Sequence, residues 1–171
     1  MDQIAAGGSV AQVSDAGTPA ICDPGMVLVD RVREAGFPVI PVPGCSALTA
    51  ALSVRGSMTP HIIFYGFLPA KRAVRRKILT QLKKSPWGIV CYEAPHRIVS
   101  CLEDIVDIFG PAHLILLARE LTKVFETIRK MPAGELLAWV QQDSCQQRGE
   151  FVIIIDAVQS TAQDTQEETS K

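Results

Sequence analysis

The sequence predicts a two-part α/β protein, and three features predict it. Two short loops of small residues, 14–25 and 42–47, each follow an apolar run and precede a helical pattern, the layout of strand–loop–helix units whose loops gather at the carboxyl edge of a parallel sheet. After Gly56–Pro60 the rhythm changes to longer helices alternating with more apolar strands. The last apolar segment, residues 151–157, is so rich in β-branched residues that it is expected to lie centrally in a sheet. Glycine and proline also punctuate ordinary turns, so each loop taken alone has a purely structural reading.

In chain order, residues 8–13 are read as a strand, 15–25 as a loop and 26–35 as a helix stopped at Gly36. Residues 37–41 are a second strand and 46–55 a second helix, with a linker at 56–60. This βαβα pattern, residues 1–57, is half of an ordinary doubly wound domain: a partial Rossmann-like parallel sheet with right-handed crossovers. Beyond it come a strand at 62–65, an amphipathic basic helix at 71–84, a buried strand at 87–92 and a helix at 95–109 ending at Gly110. A strand at 114–118, a hairpin partner at 124–129, a helix at 133–142 and the strand at 151–157 complete a mixed-sheet α/β domain, residues 58–158. The Gln, Thr, Ser and Glu of residues 159–171 predict a disordered tail.

With 171 residues and 47% hydrophobic content, the chain can bury one good core or two small ones. A balance of 17 Lys and Arg against 18 Asp and Glu excludes a uniformly cationic nucleic-acid coat and leaves room for local basic patches. Five cysteines, Cys22, Cys45, Cys91, Cys101 and Cys145, are widely spaced without a CxxC pair and read as reduced thiols. No run approaches the ~20 apolar residues of a membrane span and no signal-peptide layout opens the chain, so a cytoplasmic protein without membrane contact is expected. The three histidines, His61, His96 and His113, lack ligand spacing, and no metal is expected. Neither a P-loop nor a GxSxG elbow occurs, which removes the hydrolase and nucleotidyl-transfer readings.

Chemistry concentrates in six places. In the first loop Gly17 admits close backbone approach, with Asp15 and Thr18 as polar anchors; an Asp-Gly turn capped by its own side chain is the plainer alternative. Ser46, after Pro43-Gly44, serves equally as a helix N-cap or a ligand contact. Tyr92-Glu93-Ala94-Pro95-His96-Arg97 follows a buried strand and opens a helix: Glu93 suits proton acceptance or a cofactor group, His96 suits proton shuttling or local packing, and Arg97 suits phosphate. Arg119-Glu120 repeats that placement after the next strand, and reads on its own as a structural salt bridge. Lys71, Arg72, Arg75, Arg76 and Lys77, extended by Lys83 and Lys84, mark a helix that is either an RNA-phosphate contact or a solvated face. Phe67, before that helix, either gates a substrate or joins the core.

The runs VSDAGTPAICDPG, VPGCSALTAALSVRG, YGFLPAK, YEAPHR, ARELTKVFET and RGEFVIII, in that order between about Gln3 and Ala157, resemble the ribosomal RNA small subunit methyltransferase I family of the tetrapyrrole methylase superfamily. The resemblance implies a two-lobed tetrapyrrole-methylase-like fold, S-adenosylmethionine bound in the cleft between lobes, and 2'-O-methylation of a cytidine in small-subunit (16S) ribosomal RNA. It implies the 30S subunit as partner and a homodimer. It also implies that Asp15, Ala16, Gly17, Thr18, Pro19, Pro43, Gly44, Cys45, Ser46, Ala47 and Tyr92 bind the cofactor, that Glu93, His96, Arg119 and Glu120 serve catalysis, and that Lys71, Arg72, Arg75, Arg76, Lys77 and Arg97 meet RNA. Methyl transfer from a sulfonium requires alignment, water exclusion and an acceptor for the hydroxyl proton. Family members carry a further segment upstream of what is Met1 here and an extension after the polar tail, so the chain is expected to be shortened relative to them. The alternatives are a uroporphyrin- or corrin-type tetrapyrrole C-methyltransferase, with an apolar porphyrin-sized cleft, and an inactive shortened fragment that folds and dimerises.

Overall fold

The computed structural model describes residues 1–57 and 59–158, so the expected disordered tail at 159–171 lies outside the described residues. The chain divides into two compact units, Met1–Ala50 and Ala51–Lys171, a division that falls inside a helix rather than at residue 57.

The first unit contains α1 (Asp2–Ala5), α2 (Met26–Glu34) and most of α3 (Ala47–Ser53), which leads into the second. The last two occupy the expected helical patterns, while nothing in the sequence signalled the single turn of α1. The expected strands at 8–13 and 37–41, and with them the parallel sheet of residues 1–57, are not formed among the described residues. The reason is non-local. A strand is completed by a neighbour's N–H and C=O groups, and neither segment joins the described sheet or the other.

The second unit is a five-stranded mixed sheet with helices on one face. Its elements are β1 (Ile62–Phe67), α4 (Arg72–Leu82), β2 (Gly88–Glu93), a 3-10 turn (Pro95–Arg97), α5 (Ile98–Phe109), β3 (Leu114–Arg119), β4 (Thr127–Pro132), α6 (Ala133–Gln142), a second 3-10 turn (Ser144–Gln147) and β5 (Phe151–Ile155). The strand order is β1-β2-β5-β3-β4. β1 and β2 are parallel, and β5 is antiparallel to both β2 and β3, so β1, β2 and β3 all run the same way.

The expected central place of the last strand is confirmed: all five residues of β5 are buried, as a strand flanked on both edges and covered on its faces must be. Alternate strand residues Ile89, Cys91, Ile115, Leu117, Ile153 and Ile155 meet Leu79 of α4, Ile98, Leu102 and Ile105 of α5, and Leu136 and Val140 of α6 in one core. In α5 these positions follow the helical period, which is why that segment folds as a helix against the sheet. Each such side chain, fully buried, contributes roughly 1.5–3 kcal/mol. β4 closes one edge with Arg129, Lys130 and Pro132, charges and a proline that discourage further pairing. No described helix is long and apolar enough to cross a membrane.

Two boundaries differ from expectation. The helix expected from 95 is interrupted at Arg97, where φ widens to −119°, and Pro95–Arg97 is a separate 3-10 turn. The hairpin partner of β3 begins at Thr127 rather than 124, because Glu120 and Thr122 both take left-handed backbone conformations (φ 52° and 66°) and spend residues 120–126 on a loop.

Candidate functional site

The direction of β5 assembles the best-defined site. Because it enters antiparallel between β2 and β3, its amino end lies beside their carboxyl ends, and Glu93, Phe151, Arg119 and Thr127 form one cross-strand row. One sheet edge therefore holds the end of β1, the Glu93–Arg97 segment, Arg119-Glu120, the loop to β4 and the Arg148-Gly149-Glu150 approach to β5. Residues 148–150 join this group only because β5 is antiparallel to its neighbours, which puts its amino end at the same edge.

Arg119 is buried and spends its guanidinium on the surrounding loops. Nη1 donates to the carbonyls of Cys145 and Arg148 (both 3.2 Å), and Nη2 to the Phe125 carbonyl (3.1 Å) and Thr127 Oγ1 (3.2 Å). It is thus a tie between the β3–β4 loop and the segment before β5. Its Nε is buried without a partner among the described residues. Glu120 makes a second tie, its Oε1 accepting from the Glu150 amide (2.9 Å) and Lys123 Nζ (2.9 Å). Gly149 permits this approach: its φ is +93°, and a Cβ there would fall on the Glu120 side chain. The Glu150 amide, then Lys123, hold the Glu120 carboxyl below its usual range, so it stands as a fixed acceptor rather than a poised base. Between these ties lies a cavity of about 230 Å³ lined by Arg119, Glu120, Phe125, Cys145, Arg148 and Gly149. Phe125 is 71% exposed on its rim.

Glu93 is placed differently from the accessible base expected. It is 1% exposed, on the helix-covered face, with Oε1 taking the Arg97 guanidinium at 2.5 Å and the Ala94 amide at 2.8 Å. Burial and the pairing of Oε1 give it a structural role, while Oε2 is buried without a partner among the described residues. With Arg97, which also reaches the Leu68 carbonyl (3.3 Å), it pins the 3-10 turn. Arg97 is correspondingly committed to the protein and not free for phosphate. His96, in the middle of that turn, is exposed. Tyr92 lies edge-on to Phe64 and Phe67, with ring centroids 5.1 and 5.7 Å away, so Phe67 is a half-exposed member of an aromatic cluster.

In the first unit the two small-residue loops touch: Thr18 Oγ1 donates to the Cys45 carbonyl (3.1 Å). Ser14 Oγ closes the first loop onto the carbonyls of Ala16 and Gly17 (3.3 and 3.2 Å). Asp15, Ala16 and Gly17 are exposed, Thr18 and Pro19 half-buried. Pro43, Gly44 and Cys45 are exposed ahead of Ser46 and Ala47, where the Ser46 carbonyl receives the Ala50 amide (3.0 Å) and so begins α3. Ala20 and Cys22, both in the first loop, stand at φ 67° and 62°, a left-handed conformation that glycine would adopt without strain.

On α4 Arg75 is not free to be the RNA contact expected, while Arg72 and Arg76 divide between acidic partners and solvent. Asp104 of α5, fully buried, accepts from Arg75 Nε (2.8 Å), Arg72 Nε (2.9 Å) and Arg76 Nη1 (2.9 Å), and Arg76 also reaches Asp107 (2.8 Å). Burial opposes charge on Asp104, yet Arg76, Arg72 and Arg75 outweigh it and hold its carboxyl below the usual range. Arg75, 2% exposed, is a core clamp and cannot present its charge to a phosphate. Lys71 and Lys77 are exposed, and Arg72 keeps most of its side chain in solvent. Among the described residues no cluster of His, Cys, Asp and Glu suits a metal ion.

A family model described as Tetrapyrrole (Corrin/Porphyrin) Methylases matches residues 1–137. Ribosomal RNA small subunit methyltransferase I of Pseudomonas aeruginosa is 49% identical over 155 residues, which cover 91% of this chain and 55% of that protein. The protein of the same name from Escherichia coli O157:H7 is 46% identical over 158 residues, 92% of this chain and 55% of the relative. The chain thus spans little more than half the length of the curated relatives it matches. Among solved structures, the methyltransferase CobJ superposes with a TM-score of 0.68 at 19% identity, over 92% of this chain and 68% of that one. Cobalt precorrin-4 methyltransferase CbiF gives 0.65 at 16% identity, over 90% of this chain and 66% of that one. A uroporphyrin-III C-methyl transferase from Thermus thermophilus complexed with S-adenosyl homocysteine gives 0.52 at 18% identity, over 81% of this chain and 62% of that one. At these identities the structural likeness speaks for the fold.

Proposed function

The chain belongs to the tetrapyrrole methylase family, and from that premise we propose that it serves S-adenosylmethionine-dependent methylation of small-subunit ribosomal RNA, at a cytidine 2'-hydroxyl, as a cytoplasmic homodimer acting on the 30S subunit. The observation that carries the RNA branch over a tetrapyrrole substrate is the near-half identity to relatives named for ribosomal RNA methylation. The exposed lysines of α4 agree with it.

The residues present suit S-adenosylmethionine. The cavity at the sheet edge pairs a fixed carboxylate, Glu120, with an aromatic rim, Phe125, and a buried donor left over at Arg119 Nε. Carboxylate and ring complement a cationic sulfonium and a purine. In the first unit Gly17, at φ +73°, has open space where a Cβ would stand, leaving its backbone approachable beside Asp15 and Thr18.

When bound, S-adenosylmethionine supplies an already activated methyl group. The chain's own residues do the rest: Glu120 and Phe125 orient the donor, Arg119 keeps both cavity walls in place, and His96, displayed by the Glu93–Arg97 anchor, takes the ribose hydroxyl proton. Lys71 and Lys77, with the exposed part of Arg72, hold phosphates. The test mixes the full chain with methyl-labelled S-adenosylmethionine and undermethylated small ribosomal subunits and maps the label. Label on a cytidine ribose is expected; label absent from RNA while the chain binds donor normally overturns the RNA substrate.

A further inference from the structure

Resting on that RNA reading, we infer a second nucleic-acid contact at the far end of the sheet, where Trp87, backed by His61, stacks an unpaired base at the end of a lysine track along α4.

The topology sets the track. β1 and β2 are parallel, so α4, which joins the end of one to the start of the other, runs back across the sheet. Its 11 residues span about 16 Å. Lys71 therefore stands at the edge that holds His96 and the cavity, and Lys84 at the opposite edge.

The cations of this helix divide by face. Arg72, Arg76 and Lys83 turn to α5, where Asp104, Asp107 and the Ile108 carbonyl (2.5 Å from Lys83 Nζ) receive them. Lys77 on α4 and Lys84 just past its end are exposed and without an ion pair among the described residues. Residues 71–87 hold seven cations and no acid, and the acids paired with them are Asp104 and Asp107, so a positive strip remains.

At the end of this strip Trp87 is 46% exposed. It stands just ahead of β2, its ring centroid 6.0 Å from that of His61 just ahead of β1, and the Gly88 amide donates to the His61 carbonyl (3.1 Å), which fixes the two side by side. A large exposed ring at the end of a line of flexible point charges is the combination by which proteins hold single-stranded nucleic acid: lysines follow the phosphates and the ring takes a base face. A duplex, whose bases are already stacked, has nothing to offer Trp87.

The experiment uses the full chain and a short fluorescein-labelled single-stranded RNA. The chain has two tryptophans, so W139F isolates Trp87 emission. RNA should quench that emission, and duplex RNA should not. W87A should bind the single strand about tenfold more weakly with an unchanged salt slope, and W87F should keep most of the affinity. K77A with K84A should lower the slope of log affinity against log salt by about 1–2. Silent Trp87 emission, parental affinity in W87A, or equal quenching by phosphatidylserine vesicles or polyglutamate would overturn the inference. Calorimetry of donor binding on the same samples keeps the two readings apart. A chain that binds no S-adenosylmethionine yet shows RNA-quenched Trp87 loses the methyl-transfer reading and keeps this one; normal donor binding with silent Trp87 does the reverse.

Discussion

Residues 1–50 and the unit that follows are made of similar segments, short apolar runs set between helices, and they differ in what became of those runs. In the second unit β5 is buried throughout and its neighbours on both edges give every backbone group a partner. In the first, Val10, Val13, Ile40 and Val42 remain exposed, α2 shows Met26 and Val27 to solvent, and Val32 is the one large hydrophobic that is buried among the described residues before Ala51. Apolar runs are thus a potential for strand formation. A ladder and a covering layer turn that potential into roughly 1.5–3 kcal/mol per large side chain.

Substitutions measure the contrast directly. The largest effect is expected from Asp104→Asn, which leaves Arg75 buried without its carboxylate: a loss of roughly 3–5 kcal/mol in urea unfolding. A loss below about 1 kcal/mol would mean that the clamp between α4 and α5 does not help hold the second unit. Next, Ile153→Ala, which empties the middle of β5, should cost about 3 kcal/mol.

Arg119→Gln should cost about 2 kcal/mol by loosening the loops around the cavity. It should also weaken S-adenosylmethionine binding more than Phe67→Leu does, read by calorimetry. Unchanged donor affinity would separate the cavity from the cofactor.

Acid sharpens the same comparison. Asp104 and Glu120 have lowered native values, so their contribution is complete above the unfolded carboxyl range near about 4 and disappears as pH falls through the native values. Stability of the second unit should therefore fall on the acid side, and Asp104→Asn should flatten part of that limb in urea midpoints taken against pH. The smallest effect is expected from Ile40→Ala, within about 0.5 kcal/mol. A cost matching that of Ile153→Ala would break the contrast between the units.

The helices and strands of the second unit were legible because their signals are local and repeated: the period of Ile98, Leu102 and Ile105, and the β-branched run at 151–155. The Tyr92–Arg97 and Arg119-Glu120 segments were legible as candidates because each directly follows an apolar strand. Their roles were not. Arg75 reads as one more surface cation until Asp104, 29 residues on, meets it in the core. Glu93 reads as an accessible base until the pleat turns it toward the helices and Arg97 closes on it.

By itself the sequence determined the family, the order of elements in the second unit and the chemistry available at each strand end, because motif, period and side-chain type are properties of neighbours along the chain. The tertiary structure alone decided which strand ends share an edge, which arginines are spent on carboxylates and whether residues 8–13 and 37–41 become strands. Those outcomes depend on strand direction, on pairing and on charges distant in sequence, and each requires two segments to meet.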